Sequence, residues 1–191
     1  MLSLILCTLY VISFALAEEV ISTSSGWIIT YDDSKMIANK DNIQRNIPIY
    51  IEDNDENDDR LCPEEFSMTF LSIVGDLVSY EESYFQYCDG MAHPNTSVHF
   101  RTYDLTKGTH VDLRTWYTEK QIFAGLLSDG FIQKHLTGQP QSLKEYYDMV
   151  PNLCEADLTD VVDSFAFHHI TENQVAIRIG LPAGCQALGE I

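Results

Sequence analysis

Six histidines, five cysteines and 29 carboxylates are the side chains of this 191-residue chain that could do chemistry. Their spacing decides what they could do together. His93 lies within Tyr87-Cys88-Asp89-Gly90-Met91-Ala92-His93-Pro94-Asn95, between two strand-like runs. It could act as a ligand or proton carrier. It could equally tie down a glycine-containing loop whose exit Pro94 stiffens. The structural role is preferred, because no catalytic partner stands at a characteristic spacing. His168 and His169 are adjacent on a strand pattern, so they face opposite ways and cannot share a metal there. His99 and His110 could meet across a hairpin, but with no acidic or cysteine partner at zinc spacing.

The acids are read the same way. Glu64-Glu65 and Glu81-Glu82 have the composition of a glycosidase pair, but in so acidic a chain chance accounts for them. Asp53, Asp55, Asn57 and Glu64 fall on positions 1, 3, 5 and 12 of an EF-hand-like loop. Asp58 stands where that loop needs glycine, Pro63 precedes the glutamate, and no helix pattern flanks it. No metal and no cofactor are expected. Gly-x-Ser-x-Gly, His-Glu-x-x-His and phosphate-loop motifs are absent from the sequence, so no catalytic residue is assigned. Asn95-Thr96-Ser97 is a glycosylation sequon, relevant only in a eukaryotic secretory route.

Residues 1–17 read as a signal peptide. An uncharged apolar run ends in Ala15-Leu16-Ala17, a small-x-small cleavage pattern, followed by Glu18-Glu19. The run lacks a preceding Lys or Arg and is short for a bilayer span of about 20 residues. Cleavage leaves 18–191 as a single exported domain, periplasmic or extracellular, with no further membrane span expected. Without Cys7, four cysteines remain: Cys62, Cys88, Cys154 and Cys185. An even set suits two disulfides in an oxidising compartment, with three pairings possible. The net charge of −18 excludes nucleic acid as a partner, since phosphates would be repelled. It favours cationic partners and solubility.

The elements that must position these residues follow from periodicity. Residues 27–31 and 47–51 look like strands, with a polar, ambiguous stretch at 32–46 between them. Residues 52–60 form an acidic loop. Residues 66–74 and 77–88 are aromatic and β-branched strands around Gly75-Asp76, a two-residue turn with glycine first. In that register Cys62 falls opposite position 89, so a bulge or twist would bring it to Cys88. Cys154–Cys185 is the pair left over. Residues 98–105 and 109–113 make a second hairpin around Thr106-Lys107-Gly108. Thr118-x-x-Gln121 is a capping box, and Ile122, Phe123, Leu126, Leu127 and Phe131 follow as one helical stripe closed by Gly138 and Pro140. Ser142-x-x-Glu145 opens a shorter helix before Pro151, and residues 165–170 and 174–179 form a last hairpin. The expected fold is α+β: a curved antiparallel sheet of hairpins, with one main amphipathic helix and a shorter one packed on one face.

Two motifs carry a family resemblance. One is Tyr87, Gly90, Ala92, His93 and Pro94; the other is Tyr103-Asp104-Leu105-Thr106-Lys107-Gly108-Thr109-His110-Val111-Asp112-Leu113. Residues 66–184 resemble the extracytoplasmic domain of the lysozyme-sensing anti-sigma-V factor, a domain type also found before the catalytic domain of some peptidoglycan deacetylases. Met91 stands where the family has a second glycine, and Cys88-Asp89 where it has small polar residues. The resemblance implies a bacterial, non-enzymatic binding domain for a lysozyme-type cationic protein or a cell-wall component. It makes Asp89, Gly90, Met91, His93, Pro94 and Asn95 the candidate binding residues. A glycan-acting enzyme and a structural accessory domain are the alternatives.

Overall fold

The computed structural model describes residues 18–49, 64–88, 90, 94–130, 133, 138–149, 164–171 and 175–179. Its strands are all antiparallel. β1 (Glu19–Ser22), β2 (Ile28–Tyr31), β3 (Met36–Lys40) and β4 (Ile43–Ile47) form a meander, the first sheet. β5 (Glu64–Val74), β6 (Leu77–Gln86), β7 (Asn95–Asp104) and β8 (Thr109–His110) form a second. β9 (Phe165–Ile170) and β10 (Val175–Ile179) are a separate hairpin. The α-helices described are α1 (Glu119–Ser128), the main one, and α2 (Leu143–Met149). Among the described residues no helix is long and apolar enough to cross a membrane.

The second sheet is the middle layer, and both its faces are used. Alternation sends Val78 and Tyr80 of β6, Tyr103 of β7 and Met68 of β5 to one face. There they pack with Trp27, Ile29, Met36, Ala38 and Ile47 of the first sheet. On the other side Phe165 and Phe167 of β9, Ile122 of α1, Leu143 of α2 and Leu113 form a second apolar cluster. That side of the middle sheet carries small hydroxyl residues, and they bind the backbone of β9. Ser72 Oγ donates to Phe167 O at 2.5 Å, and Thr102 Oγ1 to Phe165 O at 3.0 Å. The Phe167 N–H donates to Ser79 Oγ at 3.0 Å, and the Phe100 N–H to Ser164 Oγ at 3.0 Å. Three backbone groups of β9, the Phe165 C=O and the N–H and C=O of Phe167, are thus satisfied by side chains of another sheet.

The stretch 32–46, polar and ambiguous in sequence, holds the turn into β3 and the β3–β4 hairpin. Asp32 Oδ1 accepts from the backbone N–H groups of Ser34 and Lys35, closing the β2–β3 turn. Asp41, at φ +52, makes a two-residue turn between Lys40 and Ile43. Only one face of this hairpin meets the core, so its polar positions outnumber its apolar ones. Of the strand expected at 47–51, Ile47 closes β4, Pro48 and Ile49 lie outside any strand, and residues 50 and 51 lie outside the described residues. α1 begins with the expected capping box on Thr118 and Gln121 but stops at Ser128. The next residue, Asp129, is extended, and its N–H closes onto Leu126 O. Phe131 lies outside the described residues.

Candidate functional site

The loop singled out by its motif is described only at its flanks. Asp89, Met91, Ala92 and His93 lie outside the described residues. Gly90 is exposed at φ +91, a conformation open to glycine, and Pro94 is exposed. Asn95 opens β7 opposite Gln86. Cys88 is buried and disulfide-bonded; Cys62, Cys154 and Cys185 lie outside the described residues.

The second motif is legible in atoms. Asp104 Oδ1 accepts from the Thr106 and Lys107 N–H groups at 2.9 and 3.1 Å and from Thr106 Oγ1 at 2.6 Å. Burial works to raise the Asp104 carboxyl, but these hydrogen bonds and Lys107 outweigh it and hold it below the usual range. Leu105 is fully buried beneath this turn. Gly108 has φ +77, and a Cβ there would lie 3.0 Å from the Arg45 guanidinium. Arg45 Nε donates to Leu105 O at 3.3 Å. The Asp-Leu-x-x-Gly pattern is therefore a turn that locks β4 of the first sheet to the tip of β7–β8.

The densest chemistry among the described residues is a polar row that is buried at Glu82 and Tyr80, half-buried at Arg101, and runs out to an exposed His110 on the edge strand β8. Glu82 on β6 is only 2 % exposed, and Arg101 Nε on β7 lies 3.2 Å from its Oε2. Directly across from Arg101 is Tyr80. Its hydroxyl lies 3.0 Å from Pro48 O and 2.6 Å from His110 Nε2. The His110 ring also packs edge-on against Tyr103, with centroids 5.3 Å apart. Burial, then the charge of Arg101, pushes His110 down to about 4. Burial, then the charge of Glu82, pushes the Tyr80 phenol up. Both groups are thus neutral at pH 7, and the carboxylate of this row, Glu82, is held by a guanidinium.

Several sequence pairings dissolve in this geometry. Glu81 and Glu82 are neighbours on β6 and face opposite sides: Glu82 is buried, while Glu81 pairs with Arg178 of β10 at 3.9 Å. Glu64 and Glu65 likewise diverge on β5, with Glu64 accepting from Gln86 Nε2 at 2.9 Å. His110 pairs with Tyr103, four residues along β7 from His99, so the two histidines do not meet. No group of three or more metal-ligating side chains occurs among the described residues. Of the EF-hand-like set, Glu64 lies on a strand, and Asp53, Asp55 and Asn57 lie outside the described residues.

The Glu82–Arg101–Tyr80–His110 row was not read from the sequence. Glu82 and Arg101 meet only in the β6–β7 register, and the segment joining those strands is too long to fix it by turn type. The alternation of β6 was a usable signal, since it puts Glu82 on the same face as Val78 and Tyr80. No family model matches this chain, and no curated protein or solved structure matches it.

Proposed function

We propose that this chain is an exported, non-enzymatic binding domain. Its partner is a cationic protein of the lysozyme type or a peptidoglycan-like component of the cell wall. The observation that carries the reading is charge: 29 acids against 11 Lys and Arg. The buried carboxylates Glu82 and Asp104 are matched by Arg101 and Lys107, so among the described residues the excess acidity lies toward the exterior. Exposed Glu18, Glu65, Glu119 and Glu145 are part of it. Such a surface steers basic proteins toward it and repels nucleic acid.

The resemblance of residues 66–184 to the lysozyme-sensing domain supplies the class of partner. The loop of Asp89, Gly90, Met91, His93, Pro94 and Asn95 would provide contacts that survive salt. The fold belonging to this proposal has a curved middle sheet and an amphipathic main helix. The bulge in β5 at Phe70–Ser72 supports the first. The packing of Ile122, Phe123 and Leu126 into one cluster supports the second.

The test is calorimetry of residues 18–191 with lysozyme at low and physiological ionic strength, with an unrelated basic protein as control. Binding that persists at about 0.15 M salt, where screening acts over roughly 8 Å, and that the control lacks is the expected result. Binding that vanishes there, or that the control matches, refutes it.

A further inference from the structure

The β9–β10 hairpin covers only part of its face of the middle sheet. Where it does, one guanidinium is already received. Arg178 of β10 lies 5.8 Å from the centroid of the Phe100 ring on β7 and pairs at 3.9 Å with Glu81 on β6. Phe100 and Glu81 are direct cross-strand partners. An aromatic ring and a carboxylate side by side on adjacent strands thus hold an arginine of the chain itself, the ring through its negative face and the acid through its charge.

Four residues further along β6, about 13 Å away, the same pairing recurs with its ring and its carboxylate both exposed. Phe85 is the direct partner of Glu65 on one side and Thr96 on the other. Phe85 is 38 % exposed, and Glu65 and Thr96 are exposed too. Tyr87, two residues on, is 42 % exposed, while Gln86 and Cys88 alternate with it toward the interior. Alternation therefore sets Phe85 and Tyr87 on one face. Two exposed rings, one carboxylate and one hydroxyl make a surface suited to a flat cation. Among the described residues no Lys or Arg pairs with Glu65.

We propose that this open end of the sheet, built from Glu65, Phe85, Tyr87 and Thr96, is a docking surface for an arginine side chain of a basic protein partner. It repeats the arrangement that Arg178 occupies next door. It rests on the proposed function for the identity of the partner, but not for the chemistry of the surface. Arginine is favoured over lysine, because a planar guanidinium stacks on a ring while donating to a carboxylate, and an ammonium does so less well.

The experiment uses oxidised protein 18–191 and two probes, a hexa-arginine and a hexa-lysine peptide, titrated at about 0.15 M salt. Hexa-arginine should bind the more tightly. The double variant Phe85→Ser/Tyr87→Ser should weaken it about fivefold to tenfold while the domain stays folded at the temperature of the titration, which its thermal unfolding curve checks. Glu65→Gln should weaken it by a smaller factor, and Glu119→Gln on α1 should not. Equal binding of wild type and the double variant, no preference for arginine, or an equal loss in Glu119→Gln overturns the proposal. A parallel titration with lysozyme separates the two claims. If hexa-arginine depends on Phe85 and Tyr87 but lysozyme fails to bind wild type, the surface stands and the proposed partner falls. If lysozyme binds both proteins alike, the surface is overturned and the partner stands.

Discussion

Arg101 lies diagonally across the β6–β7 ladder from Glu82, with Nε 3.2 Å from Oε2, and this contact neutralises a carboxylate buried to 2 % exposure. Removing the guanidinium would leave that charge in a poorly solvated site, the costly way to break a buried pair. Arg101→Met should destabilise the fold by about 2–4 kcal/mol, the lower half reflecting the partial exposure of Arg101. Arg101→Met with Glu82→Gln should recover part of the loss. Urea unfolding midpoints of the two variants check this; equal losses in both would mean that no stranded charge is involved.

The hydroxyl seam under β9 gives a second expectation. Ser79 and Thr102 are buried, lie 2.9 Å apart, and serve the Phe167 N–H and the Phe165 C=O. Ser79→Ala strands a buried N–H and should cost about 1–3 kcal/mol. Thr102→Val should cost less, because a carbonyl tolerates a lost partner better than an N–H does. Thermal unfolding of both variants decides the order.

Stability should fall with acid, and His110 should contribute to the fall. Its folded pKa is pushed down to about 4 from 6.5. Between those values the unfolded chain binds the extra proton and the folded chain does not. The contribution is therefore fully present above about pH 6.5 and is lost as pH falls toward 4. His110→Asn should lose less stability than wild type between pH 7 and pH 5. Parallel losses in the two proteins, measured by urea unfolding at each pH, would exclude a role for His110.

Cys88 is disulfide-bonded, and Cys62 is its expected partner. Partner numbers beyond the turn, as in Val74–Leu77, sum to 151, but past the Phe70–Ser72 bulge they sum to 150, down to Glu64–Gln86. If that ladder continued by two residues, position 62 would fall opposite Cys88, which is the ground for the expected pair. Cys154–Cys185 is then the expected second pair. Each bond should contribute roughly 2–4 kcal/mol through the unfolded chain. Non-reducing peptide mapping tests the pairing; a Cys88–Cys154 or Cys88–Cys185 peptide would refute it.

Local chemistry made much of this fold legible. Gly75-Asp76 set the β5–β6 turn, and Val74 does pair with Leu77. Thr118 and Gln121 cap α1 as their spacing requires. The last hairpin, β9–β10, also lies where alternation put it. The first sheet was harder, because Glu19–Ser22 and Met36–Lys40 each offer only a few inward residues. A strand with one buried face and a polar outer one gives a weak signal at four or five residues.

The sequence by itself determined what depends on near neighbours: turn positions, the helix cap and the strong acidity. Each follows from residues within a few positions, or from composition alone. Tertiary structure alone decided which distant side chains meet. That Glu82 lies against Arg101, that Tyr80 reaches both Pro48 and His110, and that Ser72, Ser79 and Thr102 serve β9 are matters of register and layer stacking. A one-residue slip of β6 against β7 would turn Glu82 out of its site and expose Tyr80. That register is set by the summed packing of both faces of the middle sheet, not by the residues in the row.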